Sequence, residues 1–118
     1  MSERKFIIPE YGPFAGMRVV CSGSLVAMPF AATMLADFGA EVIQIERPGV
    51  GDTLRGLAPM ADVNGTKVST AWVQNARNKL AMSLELNLKH EEVKEIFYGL
   101  IKEADIFMEN MVWLDKLG

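Results

Sequence analysis

The sequence predicts an α/β fold with a mainly parallel sheet and flanking helices, on three observations. Between Met17 and Glu46 a β-branched apolar run, a helical stretch and a second apolar run follow one another with short joints. A second strand, helix and strand recur over 80–109. The run Val19-Val20-Cys21 shows no polar alternation, as expected of a strand buried on both faces.

Taken in order, residues 1–16 carry Pro9, Gly12, Pro13 and Gly16 without periodicity, which predicts an irregular arm laid against the domain. Arg18-Val19-Val20-Cys21 is the first strand, and Ser22-Gly23-Ser24 turns the chain. Phe30, Ala31, Met34, Leu35 and Phe38 recur at helical spacing and predict the helix and its apolar stripe. Pro29 suits a first turn, where its missing N–H costs nothing, and Gly39 supplies a left-handed stop. Val42–Ile45 is the second strand, completing a parallel βαβ unit with a right-handed crossover.

Residues 47–79 change texture, with glycines at 49, 51, 56 and 65 and prolines at 48 and 59. This predicts a long irregular binding loop or lid. Leu80–Leu86 reads as a third strand, and Val93, Ile96, Phe97, Leu100 and Ile101 form the stripe of a helix over about 90–103. Glu91 and Glu92 in its first turn and Lys102 in its last suit the helix dipole. Asp105–Glu109 is the fourth strand, and no helix follows to cover it, so the chain is expected to be the first part of a longer protein.

Composition narrows the function. The 118 residues are half hydrophobic, enough for a core, and carry a net charge of −3 without the clustered Lys and Arg of a nucleic-acid surface. A single cysteine, Cys21, excludes an internal disulfide and suits a reducing, cytoplasmic setting. The apolar run Phe6-Ile7-Ile8 is too short for a leader core or a membrane span. With one His and one Cys, neither a zinc set nor a Ser-His-Asp triad can be assembled.

In open parallel sheets ligands bind at the carboxyl edge of the strands. Here that edge carries Ser22-Gly23-Ser24, Glu46-Arg47 and Glu109-Asn110-Met111. Arg47, Arg55, Lys79 and Lys116 near this rim suit a phosphorylated ligand, the alternative being solvated surface charge. Gly49 and Gly51 beside Arg47 would let backbone N–H groups approach an anion. Glu46 could hold a ribose hydroxyl, but the turn after the first strand has one glycine and lacks the dinucleotide fingerprint. Cys21, inside an apolar strand, reads as a small hydrophobe rather than a nucleophile, and His90 as an exposed residue at a helix start.

Three blocks carry a resemblance: GPFAGMRVVCSGSLVAMPFAATMLADFGAEVIQIERPGVGDTLRG from Gly12, NARNKLAMSLELN from Asn75, and EADIFMEN from Glu103. Together they resemble the start of the class III CoA-transferases of the formyl-CoA, carnitine and bile-acid type. The resemblance implies a Rossmann-like CoA-binding domain over 17–118, incomplete here, in an enzyme that moves CoA between carboxylic acids. It implies an Asp nucleophile, lying beyond this chain, that forms a mixed anhydride and then an enzyme-bound CoA thioester. By the same resemblance Arg47, Lys79, Asn110 and Met111 line the CoA path, and Lys116 stands where the family carries an Arg. No metal is implied. The partners implied are an acyl-CoA, an acceptor acid and a second copy in an interlocked homodimer, with no nucleic acid or membrane. Val26, where the formyl-CoA branch has Gln, leans toward the carnitine-like branch, and the isolated chain is expected to be inactive. A non-catalytic nucleotide-binding module and half of a dinucleotide oxidoreductase remain the alternatives.

Overall fold

The computed structural model describes residues 4–111. Along the chain it forms β1 (Arg18–Ser22), α1 (Ala27–Asp37), β2 (Glu41–Glu46), a 3-10 turn (Thr53–Gly56), β3 (Met60–Val63), β4 (Thr66–Ser69), α2 (Thr70–Asn75), β5 (Leu80–Ser83), α3 (Glu91–Glu103) and β6 (Ile106–Glu109). The main sheet has the order β5-β2-β1-β6, and all its pairs are parallel. From β1 the chain steps outward to β2 and β5, then returns to the other side of β1 as β6. The direction of progress reverses between β1 and β6, which makes their carboxyl ends the topological switch point of a Rossmann-like α/β sheet.

One face of the sheet packs Val19, Cys21 and Val42 against Met28, Ala32 and Ala36 of α1. The other packs Val20, Ile43, Ile45 and Phe107 against Phe97, Leu100 and Ile101 of α3. Phe97 is almost fully buried, edge-on to Phe107 with ring centroids 5.7 Å apart. Burying such a ring contributes about 1.5–3 kcal/mol.

The face of α1 that meets the sheet differs from the expected stripe. Met28, Pro29, Ala32, Thr33 and Ala36 are buried, while Met34 and Phe38 are 46% and 55% exposed. Small residues let this helix approach a flat parallel sheet closely, so the alanines, not the large apolar residues, mark the inner face. Pro29 does sit in the first turn, and Gly39 adopts φ +106° after the helix. A side chain at Gly39 would begin 1.7 Å from the Tyr11 carbonyl oxygen, so glycine is required where the N-terminal arm crosses.

The expected irregular loop over 47–79 is in fact partly ordered. It holds the 3-10 turn, the β3–β4 hairpin and α2. Its hairpin turns on Asn64-Gly65, both at positive φ, and Gly65 N–H donates to Asp62 Oδ1. Asn-Gly between two short strands is a strong two-residue hairpin signal, outweighed in the sequence by the surrounding glycines and prolines. The third strand ends at Ser83 rather than Leu86, and Leu84 N–H still donates to the Glu46 carbonyl of β2. Residues 4–17 form neither helix nor strand, and Phe14 and Met17 pack on the α1 side of the core. Among the described residues no helix is long and apolar enough to cross a membrane.

Candidate functional site

All four parallel strands deliver their carboxyl ends to one cavity of about 330 Å³. Ser22, Gly23 and Ser24 come from the end of β1, Ile45, Glu46 and Arg47 from β2, Leu84–Leu86 from β5 and Met111 from β6. Apolar walls from Ile45, Leu84, Leu86 and Met111 share the lining with the hydroxyl residues Ser22, Ser24 and Thr53, with three acidic residues, Glu46, Asp52 and Glu85, and with one basic residue, Arg47. The volume lies at the lower end of the range of small-molecule pockets, roughly 300–1,000 Å³.

One side of the cavity is walled by the buried Glu46 and Asp52, which belong to a polar cluster completed by the partly exposed Arg55. Arg55 donates from both Nε and Nη2 to the two Glu46 oxygens, at 2.7 and 2.8 Å, and its guanidinium stacks 3.9 Å from the Trp72 ring centroid. Burial pushes the Glu46 carboxyl up, but Arg55, the Asp52 N–H and the more distant Lys79 charge together hold it below the usual carboxylate range. Glu46 Oε2 also accepts the Asp52 N–H at 2.9 Å. Gly51 at φ +71° makes this possible, since a Cβ there would lie 2.6 Å from Glu46 Oε2. The sequence block Gly51-Asp52-x-x-Arg55 therefore folds the chain back onto β2.

The residues singled out from the sequence separate into three settings. Arg47 and Met111 share the cavity, and Arg47 is exposed with no side-chain hydrogen bond or ion pair among the described residues. Asn110 stands at the rim as a clamp: its Oδ1 accepts Ser24 N–H at 3.2 Å and its Nδ2 donates to the Ser24 carbonyl at 3.0 Å. It thus joins the ends of β1 and β6 across the switch point. Lys79 faces a second cavity of about 210 Å³ behind the Glu46–Arg55 pair, and its Nζ donates to the Pro29 carbonyl at 2.9 Å. Burial lowers the Lys79 pKa, partly offset by Cys21, Asp52 and Glu46. Lys116 lies outside the described residues.

One expectation about this rim shifts in detail and another holds. Gly51 N–H donates to the Arg47 carbonyl and Asp52 N–H to Glu46, so these groups serve the turn and not an external anion. Cys21 is fully buried, with its thiol pushed up to about 11 by that burial, which removes the thiolate a nucleophile needs. Sequence reasoning missed the apolar walls at Leu84 and Leu86, read there as strand interior, and the linking role of Asp52. Ser22 Oγ, buried beside the cavity, has no hydrogen-bond partner among the described residues. Among the described residues no group of three or more His, Cys, Asp or Glu is placed to hold a metal.

Known proteins converge on the same assignment. The chain is 39% identical over 98 residues to the beta subunit of succinyl-CoA–L-malate CoA-transferase from Chloroflexus aurantiacus, covering 83% of this chain and 23% of that protein. The alpha subunit from the same organism is 36% identical over 101 residues, covering 86% of this chain and 23% of that protein. The chain therefore spans less than a quarter of the length of these curated relatives. Among solved structures, a CAIB/BAIF family protein from Brucella suis superposes with a TM-score of 0.78 at 32% identity, over 92% of this chain and 29% of that one. Rv3272 from M. tuberculosis gives 0.77 at 31%, over 93% and 30%. The family model for CoA-transferase family III matches residues 14–118, from the arm through all four parallel strands, and the chain belongs to that family.

Proposed function

We propose that this chain is the CoA-binding amino-terminal part of a CoA-transferase, and that its carboxyl-edge cavity takes the nucleotide end of an acyl-CoA. The observation that carries this reading is the convergence of four strand ends on one cavity with Arg47 at its mouth, in a chain of CoA-transferase family III. The apolar walls suit the faces of an adenine ring, and Arg47 presents a planar fork to a phosphate. Ser22 Oγ offers a hydrogen bond to a polar edge. Asn110 contributes by holding Ser24 in place, Met111 by closing the wall, and Lys79 by tying β5 to the first turn of α1. Lys116 is proposed as a further phosphate contact on the resemblance alone.

Chemistry at the thioester follows from the family resemblance. An Asp carboxylate downstream of Gly118 attacks the thioester carbonyl, the C–S bond breaks, and CoA leaves as a thiolate. That thiolate attacks the aspartyl carbonyl of the mixed anhydride and expels the donor acid. An acceptor carboxylate then attacks the aspartyl-CoA thioester, releasing CoA thiolate and forming a second anhydride. The thiolate attacks the acceptor's carbonyl to give the new acyl-CoA and free the Asp carboxylate. The nucleotide pocket acts on this sequence at a distance, by supplying binding energy from a non-reacting part of the substrate. Succinyl-type acids are the first acyl groups to test, given the two Chloroflexus relatives, and carnitine-type acids, favoured by Val26, the second. We place the enzyme in the cytoplasm as an interlocked homodimer, and the exposed apolar side of α1 at Met34 and Phe38 supports burial against further polypeptide.

Calorimetric titration of the chain with CoA, ATP and NAD tests the reading. CoA is expected to bind best, and Arg47→Ala to weaken it about tenfold, the equivalent of one charge-assisted hydrogen bond of roughly 1.5 kcal/mol. A preference for NAD would favour the dinucleotide alternative, and equal binding of CoA and ATP the general nucleotide module.

A further inference from the structure

Asp52 is 3% exposed and joins three separate segments. Its Oδ1 accepts two backbone N–H groups, that of Leu54 at 2.8 Å in its own 3-10 turn and that of Leu25 at 3.0 Å in the β1–α1 turn. Its Oδ2 accepts Gln44 Nε2 at 2.9 Å from within β2. Leu25 sits at φ +70°, a conformation that a non-glycine residue holds only when its surroundings impose it. Ser24 beside it is gripped by Asn110. The β1–α1 turn and the 51–53 segment both wall the carboxyl-edge cavity, and the Asp52 carboxylate is the side chain that bonds them to each other.

We propose that Asp52 is a positioning residue of the nucleotide pocket: one carboxylate oxygen shared by Leu25 N–H and Leu54 N–H sets the separation of two pocket walls. The inference rests on the CoA-binding reading for its effect on affinity, and on the loop geometry alone for its effect on Leu25.

Two substitutions separate positioning from capping. In Asp52→Ser the short hydroxyl still caps Leu54 N–H, as Ser and Asp do alike at such positions, but falls short of Leu25. Asp52→Asn keeps an oxygen for both N–H groups, and Gln44 can turn its unpartnered Oε1 toward the new amide. Amide hydrogen exchange and CoA titration on the 118-residue chain then read the two effects. In Asp52→Ser, exchange at Leu25 is expected to quicken at least tenfold while Leu54 stays within threefold, and CoA affinity to fall about tenfold. Asp52→Asn is expected to restore both.

Wild-type protection at Leu25 in Asp52→Ser overturns the proposal, as does an Asp52→Asn protein that exchanges like the serine variant. A wild-type chain that binds no CoA overturns the binding reading alone, because Leu25 exchange still decides the tie between the loops.

Discussion

Gly23→Ala should break the clamp at the switch point in a way that a double-mutant cycle can read. Gly23 adopts φ +137°, and an added Cβ would lie 2.0 Å from Asn110 Oδ1 and 2.9 Å from Met28 Cε. Backbone strain at a position of this kind costs about 1–3 kcal/mol. Displacing Asn110 also forfeits its two bonds to Ser24, which at this exposed site are together worth about 1 kcal/mol. Gly23→Ala is therefore expected to destabilise by about 2–4 kcal/mol and Asn110→Ala by about 1 kcal/mol. The double variant loses the clamp only once and relieves the clash. Its cost should fall short of the sum by about 1 kcal/mol or more, a coupling expected of groups in contact. Urea unfolding followed by circular dichroism, with equal slopes for all four proteins, measures each term. Additivity within about 0.3 kcal/mol would refute the shared clamp, as groups that share no partner add within that margin.

Phe97→Ala should cost about 3–5 kcal/mol, since the ring is the most buried large group of α3 and its loss leaves a cavity against Phe107; urea or thermal unfolding checks this. Cys21 should resist a thiol reagent at pH 8 in the folded protein, because burial excludes the reagent and holds the thiol near 11; labelling is expected only at the rate of unfolding, and fast labelling would contradict the strand packing. Glu46 predicts an acid limb. Its folded pKa is depressed relative to an unfolded glutamate near about 4.3, so its contribution is present above that value and is lost as pH falls through the folded pKa. Unfolding midpoints taken from pH 6 to pH 3 should decline less steeply in Glu46→Gln, and identical slopes would remove Glu46 as a source of acid sensitivity.

What the sequence revealed of the fold followed periodicity. The four parallel strands and the helix over about 90–103 were legible because buried strands and an amphipathic helix leave opposite imprints, and Phe97 and Leu100 sit where that imprint puts them. For α1 the imprint misled. The helix is apolar all round, so spacing selected Met34 and Phe38, whereas the fold selects Ala32 and Ala36 for close approach to the sheet. The hairpin at Asn64-Gly65 was legible in principle, but its short strands are largely exposed and lack strong alternation. At the site, Arg47 and Met111 were placed together by their positions at strand ends. Lys79 was not, because it precedes β5 and so starts from the amino end of that strand, and its Nζ is taken up by the Pro29 carbonyl. Asp52 left no trace beyond its motif, since its partners at Leu25 and Gln44 are backbone and amide groups far from it in sequence.

These placements share one physical reason. Parallel strands bring their carboxyl ends to a common edge, but what leaves each strand is loop, and a loop wall adds to affinity only if it is held in place before the ligand arrives. Here four polar side chains do that holding. Asn110 ties β6 to Ser24, Asp52 ties the 3-10 turn to Leu25, and Glu46 with Arg55 folds the 47–55 segment onto β2. Each bonds mainly to backbone or to a partner charge, which leaves its tip little freedom to contact a ligand directly. Arg47 differs because its exposed side chain has no such partner among the described residues. An arginine left unpaired beside a preorganised cavity can meet an arriving phosphate without first breaking an internal ion pair, so within this rim Arg47 is the residue whose loss should fall on binding and spare stability.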